Sequence, residues 1–155
     1  MGSRMMSNRS SVVSERSTII REFQFPDDYF SVYELWKACA PGVHLRRSDE
    51  PEEIAKKLIR DPDLFLVAEE GGHIIGSVIG GFDGRRGMVY HLAVSPSSRK
   101  NGVGEALMNL LEERLRAKGC IRCYLLVTEE NDYAVNFYEK RGWSKMPLYA
   151  YGKDL

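Results

Sequence analysis

The sequence has no excess of charge of either sign. Its 155 residues include 22 lysines and arginines against 22 aspartates and glutamates, so the formal net charge at pH 7 is zero. Proteins that bind polyanions or anionic membrane surfaces generally carry a surplus of positive charge. We therefore expect neither a nucleic acid nor a membrane as a partner.

Long apolar runs are also absent. No stretch approaches the about 18 apolar residues that a transmembrane helix needs. Residues 1–17 are polar and rich in serine and arginine, without the apolar centre of a secretory signal. Residues 1–3 resemble a cloning remnant ahead of Met5 and Met6. We predict a flexible tail over residues 1–17, a single domain over residues 18–155 and a cytoplasmic location.

Cysteine is scarce. The count of three is odd, which argues against a disulfide framework. Cys120 and Cys123 form a single C-x-x-C pair at the start of a predicted strand, where side chains three residues apart point to opposite faces. We therefore expect neither a redox pair nor a metal site.

A glycine-spaced loop that leads into an amphipathic helix is the most informative feature present. Residues 92–94 read as a short apolar strand, and a turn over residues 95–98 precedes Gly102 and Gly104. Apolar residues then recur at helical spacing: Val103, Leu107, Leu110, Leu111 and Leu115. The first turn of such a helix offers unpaired N–H groups and a positive dipole end to phosphate oxygens. A turn that simply requires glycine is the alternative interpretation.

Two other phosphate-binding loops do not fit this segment. A P-loop requires a lysine followed by serine or threonine after its second glycine, and the sequence has no such motif. A dinucleotide-binding fingerprint requires a third glycine where Leu107 stands.

A second segment, residues 131–143, predicts a short helix with a polar start. Ala134, Phe137 and Tyr138 share one side of it, and Asn131 lies near its first turn. Taken alone, the segment is equally compatible with two core aromatics and an asparagine cap.

The two segments together resemble the GNAT (Gcn5-related N-acetyltransferase) superfamily. Arg99, Gly102 and Gly104 match its Arg/Gln-x-x-Gly-x-Gly/Ala motif, and residues 131–143 match a later Asn-x-x-Ala-x-x-Phe/Leu-Tyr motif that ends in Gly-Phe/Trp. The resemblance implies an α/β fold, with a mixed, twisted central sheet and helices on both faces. The predicted strands are residues 18–22, 64–69, 74–82, 88–94, 121–128 and one or two within 143–152; the predicted helices are residues 26–39, 50–60, 103–118 and 133–141.

A bacterial subgroup close to the RimI and YpeA acetyltransferases shows further similarity. Its upstream Arg-Ser-Asp-x-Pro-Glu-Glu-Ile pattern matches residues 47–54, and residues 64–69 and 80–94 are also similar. Most members of that subgroup have no assigned substrate, so this closeness indicates the fold better than the function.

The resemblance implies acetyl-CoA as co-substrate and no metal. The family positions that hold this cofactor correspond to Leu92, Val94, Arg99, Lys100, Asn101, Gly102, Val103, Gly104, Asn131, Ala134 and Phe137. The acceptor is expected on the opposite side of the sheet, with Arg47, Asp49 and Asp83 as candidate binding residues. A solvated rim would explain the same charged residues.

Tyr138 stands at the family position that protonates the leaving thiolate, although a packing tyrosine is the simpler alternative. RimI-type enzymes carry a glutamate base five residues before the motif asparagine, where this chain has Leu126. Two-residue alternation places Tyr90 on the same strand face as Leu92 and Val94, so Tyr90 is the candidate base, acting through water or only shaping the pocket. The absence of a strong base favours an amine of low pKa or a water relay.

These inferences predict an N-acetyltransferase that moves an acetyl group from acetyl-CoA directly to an amine. The amine belongs to a small molecule or to a protein, and the enzyme is a monomer or a homodimer. A non-catalytic acyl-CoA sensor is the alternative from another class, although a pure binder has no need of the Tyr138 hydroxyl.

Overall fold

A computed structural model describes residues 17–155, and the predicted tail lies outside this range apart from its last residue. The described chain forms five strands and four α-helices. In chain order they are β1 Ile19–Glu22, α1 Tyr29–Ala38, α2 Pro51–Arg60, β2 Phe65–Glu70, β3 His73–Phe82, β4 Gly87–Val94, α3 Val103–Ala117, β5 Cys123–Leu125 and α4 Asp132–Lys140. Two short 3-10 turns occupy Arg47–Asp49 and Pro96–Ser98.

The five strands form one mixed sheet in the order β1-β2-β3-β4-β5. The first four strands are antiparallel, and β5 runs parallel to β4. A parallel neighbour requires a crossover, which α3 supplies. The predicted α/β fold with a mixed central sheet is confirmed.

Helices cover both faces of the sheet, and each face has its own apolar core. On one face α3 buries Val103, Leu107, Leu111 and Leu115 at helical spacing against Leu66 of β2 and its neighbours. On the other face α1 buries Val32, Leu35 and Trp36 against Phe65, Val67 and Ile79. The sheet is therefore a rigid layer fixed from both sides.

β4 and β5 stay together over only three residue pairs, from Gly87 with Cys123 to Val89 with Leu125. β5 then ends, whereas β4 continues to Val94. The second half of β4 thus has no strand partner on its β5 side. This opening in the sheet creates the space for the site described below.

A β-bulge interrupts β4 where the pairing with β5 has ended. Tyr90 pairs with Ile79 and Ala93 with Ser77, so His91 and Leu92 together face a single residue of β3. His91 has a φ of +46°. The extra residue moves Tyr90 to the α1/α2 face of the sheet, while Leu92 and Val94 pack on the α3 side. The prediction that these three share one face is therefore wrong, because strict alternation does not survive a bulge.

The end of the chain also differs from its prediction. The predicted final strand or strands within residues 143–152 do not form, and the strand predicted over residues 121–128 shortens to Cys123–Leu125. Pro147 lacks an N–H for a ladder, and Leu148 N–H donates to the Met146 carbonyl in a local turn. Tyr149 and Tyr151 are exposed.

The Sγ atoms of Cys120 and Cys123 lie 3.8 Å apart, so the prediction that they face opposite ways is wrong. Cys120 precedes β5 rather than lying in it. Gly87 lies against both thiols, and a Cβ there would be 2.8 Å from each sulfur. Burial, reinforced by hydrogen bonding with Cys120, raises the pKa of the Cys123 thiol to about 12.

Within residues 17–155, no helix combines the length and the apolar character needed to cross a bilayer.

Candidate active site

A cleft of about 750 Å³ opens where β4 and β5 diverge. Its walls are the end of β4, the start of α3, one side of α4 and the loop after α1. Most of the residues selected from the sequence line it: Leu92, Val94, Arg99, Lys100, Gly102, Val103, Gly104, Asn131, Ala134, Phe137 and Tyr138. The two sequence segments therefore meet at one site.

The β4 wall presents backbone groups to the cleft. Ser95 N–H donates to the Ile75 carbonyl of β3. Backbone direction alternates along a strand, so the N–H and C=O groups of Leu92 and Val94 point away from β3, toward the cleft. The Val94 carbonyl accepts hydrogen bonds there from Arg99 Nε at 3.2 Å and Cys39 Sγ at 3.4 Å. An extended ligand could add to this edge as a strand would.

The start of α3 presents free backbone N–H groups at the cleft. Gly102 is the N-cap with a φ of +79°, and Lys100 before it has a φ of +68°. The first helical hydrogen bond is donated by Ala106 N–H to Gly102, so the preceding N–H groups have no intrahelical partner. A Cβ at Gly102 would meet no atom within 4 Å. Both the dipole and the free N–H groups favour a phosphate at this end.

Gly104 lets α3 approach the opposite wall closely. A Cβ at this position would lie 3.4 Å from Phe137 Cζ and 3.5 Å from Val94 Cγ2. Those distances leave no room for a larger side chain unless α4 shifts. Gly104 and Phe137 therefore set the width of the cleft through packing.

Asn131 fixes the start of α4. Its Oδ1 accepts the Ala134 N–H at 3.1 Å, which is an N-cap. A Cβ at Gly42 would be 3.3 Å from Asn131 Nδ2, so the same side chain contacts the loop after α1. Asn131 thereby ties two walls of the cleft together.

Tyr138 is a buried residue of the cleft with a phenol group. Its ring packs edge-on against Phe137 at 5.3 Å and against Trp143 at 5.7 Å. Burial raises the pKa of the phenol well above its ordinary range, and the charge of Arg141 opposes this in part. Among residues 17–155, no group hydrogen-bonds the Tyr138 hydroxyl, so it can donate to a ligand atom in the cleft.

The family model of the acetyltransferase (GNAT) family matches residues 29–143, a span that contains every wall of this cleft. The chain belongs to this family. An acetyltransferase of Pectobacterium atrosepticum is 45% identical over 130 residues, which cover 83% of this chain and 90% of that protein. This GNAT-family chain is therefore an N-acetyltransferase.

Solved structures of GNAT-type proteins share the fold. Ard1 from Thermoplasma volcanium superposes with a TM-score of 0.71 at 28% identity, over 81% of each chain. The PaiA N-acetyltransferase of Thermoplasma acidophilum, solved in complex with coenzyme A, gives a TM-score of 0.70 at 22% identity, over 81% of this chain and 88% of that one.

Five residues predicted for the GNAT site do not line the cleft: Asn101, Tyr90, Arg47, Asp49 and Asp83. Tyr90 is about half exposed, and partial burial raises the pKa of its phenol. Asp83 Oδ1 accepts the N–H groups of Arg85 and Arg86 at 2.7 Å, which lowers the pKa of its carboxyl. The Asp83 carboxylate therefore stabilises the turn between β3 and β4.

Sequence reasoning missed two features of the site. The Asp49 carboxylate pairs with His91 at 2.7 Å instead of projecting toward the cleft. Across the mouth of the cleft, the Arg99 guanidinium lies over the Tyr133 ring at 5.6 Å. Both contacts join residues more than 30 positions apart, and no local pattern in a single sequence signals such a pair.

Proposed function

We propose that this chain transfers an acetyl group from acetyl-CoA directly to an amine. The observation that carries the proposal is one cleft that combines a phosphate cradle, an open strand edge and a buried phenol. Each part corresponds to a part of the cofactor: pyrophosphate, pantetheine amides and thioester sulfur. The match between three different surfaces and one extended molecule favours this ligand over a generic anion.

The cofactor is proposed to bind through two sets of groups. The N–H groups at the start of α3, with the charges of Arg99 and Lys100, hold the pyrophosphate. The backbone of Leu92 and Val94 pairs with the pantetheine amides. Since Arg99 Nε donates to the Val94 carbonyl in the free protein, Arg99 must release that oxygen when the pantetheine arrives.

Tyr138 is proposed to protonate the departing thiolate. Its raised pKa keeps the phenol protonated at neutral pH, so the proton is available whenever the C–S bond breaks. A thiolate that forms in a site shielded from water is a strong base for such a donor, and general acid catalysis contributes about 10²–10⁴-fold.

The acceptor is proposed to enter from the α1/α2 face, because the cofactor cradle belongs to the opposite side of the sheet. Tyr90 lies on that face, and Arg47 belongs to the 3-10 turn that precedes α2. A phenol with a raised pKa keeps its proton at neutral pH, so Tyr90 can orient the amine through a hydrogen bond but is a poor base. Asp83 contributes by shaping the adjacent turn.

We also propose that the chain is close to the RimI and YpeA subgroup, because residues 47–54 and 80–94 are similar to it. The proposed location is the cytoplasm, and the proposed enzyme is a monomer or a homodimer. The proposed acceptor is a small-molecule amine or a protein amino group.

Release of free thiol from acetyl-CoA tests the proposal. The purified chain is incubated with acetyl-CoA and a panel of primary amines, amino-acid amides and peptides with free N-termini. We expect amine-dependent thiol release and an acetylated product by mass spectrometry. Tight binding of acetyl-CoA without thiol release from any amine would contradict the proposal and indicate a sensor.

A further inference from the structure

A buried aspartate–histidine pair lies beside the cleft and has no part in cofactor binding. Asp49 is 4% exposed, and its Oδ1 lies 2.7 Å from His91 Nε2. Its second oxygen accepts the Arg46 N–H at 2.9 Å, and its carbonyl accepts the Tyr29 hydroxyl at 2.7 Å. Every polar group of Asp49 that faces inward is thus held in place.

His91 lies in the β4 bulge and is not itself a lining residue of the cleft. His91 directly precedes Leu92, whose backbone forms the cleft wall, and the bulge turns its side chain to the α1/α2 face. Its ring packs edge-on against Trp36 at 5.0 Å, and Trp36 Nε1 donates to Ser77 Oγ. The φ of +46° is costly for a residue with a Cβ, and such strain is concentrated at functional sites.

The pair with Asp49 determines which ring nitrogen is free. A carboxylate only accepts hydrogen bonds, so Nε2 carries the hydrogen and Nδ1 keeps its lone pair. The bond to Asp49 is the one hydrogen bond of His91 within residues 17–155. Nδ1 is not among the buried, unpartnered side-chain atoms of that range, so solvent or a ligand reaches it.

Charged groups of both signs surround the pair, since Arg46 and Arg47 belong to the turn that carries Asp49. Asp49 faces the ring from the 3-10 turn, and Tyr29 of α1 lies beside Asp49. Burial raises the pKa of the Tyr29 phenol, and the nearby charges of Tyr33, Asp49, Glu50 and Glu52 raise it further. Tyr90 is the neighbour along β4. The Asp49 carboxylate fixes the orientation of the ring, as a carboxylate does for the histidine of a catalytic triad.

We propose that His91 is the general base of the acetyl transfer and that Asp49 positions it; this rests on the proposed function. His91 Nδ1 takes a proton from the acceptor ammonium, directly or through one water. The freed lone pair forms the C–N bond at the thioester carbon, the C–S bond breaks, and the thiolate takes a proton from Tyr138. The nitrogen, which becomes positively charged when the C–N bond forms, loses its second proton to solvent and becomes the neutral amide. Solvent also removes the proton from the imidazolium and reprotonates the phenol, so two protons leave the ammonium, one replaces the phenol proton used for the thiol, and one is released per turnover.

His91→Asn is the most direct variant for the test. Asparagine tolerates a positive φ better than other residues, so the bulge should survive, but its amide cannot take up a proton. With the amine found in the acceptor screen, we expect kcat/KM to fall by about 10²-fold or more at pH 7. Acetyl-CoA affinity, measured by calorimetry, should change less than about twofold. His73→Asn, at the exposed first position of β3, is the matched control.

The pH profile distinguishes a general base from a residue that only stabilises the structure, which is called a clamp below. The His91→Asn deficit should shrink as the pH approaches the pKa of the amine itself, because the amine then needs no base. Asp49→Asn, which keeps the size of the side chain, should show a smaller deficit of the same pH dependence. An equal deficit at every pH would overturn the proposal in favour of a clamp, and full activity of His91→Asn would overturn it outright. A wild-type chain that acetylates no amine would overturn the proposed function as well.

Discussion

Single atoms decide the chemistry of this site, and the Tyr138 oxygen is the clearest case. The ring is fixed by Phe137 and Trp143, whereas the hydroxyl is left for the cleft. The ring of Tyr138 therefore packs in the protein while its hydroxyl is free for chemistry, and one substitution can remove the hydroxyl and keep the ring.

Tyr138→Phe should lower kcat by about 10²-fold while changing acetyl-CoA affinity far less, because it removes an interaction formed chiefly in the transition state. Steady-state kinetics and calorimetric titration measure the two effects. Tyr33→Phe, the same change on α1 outside the cleft, is the control and should retain wild-type kinetics. Equal losses in kcat and in cofactor affinity would instead make the hydroxyl a binding group.

The titration of the Cys123 thiol should affect the free energy of unfolding. Its folded-state pKa of about 12 lies above the unfolded value of about 8.5. Its contribution is therefore complete below about pH 8.5 and is lost as the pH rises toward 12. The free energy of unfolding should fall between pH 8 and pH 10, by urea denaturation, and fall less steeply in Cys123→Ala. The slope of the free energy of unfolding against pH is compared between the two proteins, because a change in packing shifts the free energy at every pH and leaves the slope unaffected. Equal slopes would refute the raised pKa of Cys123.

At the scale of elements, the loop between β4 and α3 is the decisive structure. Its proposed function depends on Gly102 at the helix N-cap, where the backbone is left-handed and a Cβ would meet no atom within 4 Å. This element was predictable from the sequence because its signals are local: glycine spacing followed by apolar residues at helical spacing.

Gly102→Glu should weaken acetyl-CoA binding by about 10²-fold or more, since a carboxylate would project where the pyrophosphate lies. Gly72→Glu is a close control: its φ is +80°, nothing lies within 4 Å, and it sits in the β2–β3 turn. Calorimetry on both variants, with circular dichroism to verify folding, separates charge at the site from backbone strain. Equal affinities in the two variants would remove the loop from the cofactor site.

Other elements were not predictable from the sequence because their determinants are not local. The bulge in β4 depends on pairing with β3, and it reverses the face of Tyr90 relative to the alternating pattern. The Asp49–His91 pair joins positions 42 apart, because the 3-10 turn before α2 lies against β4. The strand or strands predicted within residues 143–152 do not form, because these residues find no partner strand.

At the scale of the whole molecule, two apolar cores hold one sheet that opens at its β4–β5 junction. The cores fix β4 from both faces, and the short pairing with β5 leaves its far half open. The residues proposed to hold the cofactor thus lie on the α3 side, and His91 and Tyr90 lie on the α1/α2 side. In the proposed complex the thioester lies in the opening between the two sides.

Direct transfer through this opening is the central claim, and a single-turnover experiment with acetyl-labelled CoA tests it. Enzyme in excess is mixed with labelled acetyl-CoA and the acceptor amine, and samples are quenched during the first turnover. We predict that label passes from acetyl-CoA to the amine at the rate of thiol release, with none bound covalently to the protein at any time. Label that accumulates on the protein before it reaches the amine, or thiol release without acetylated amine, would contradict the account.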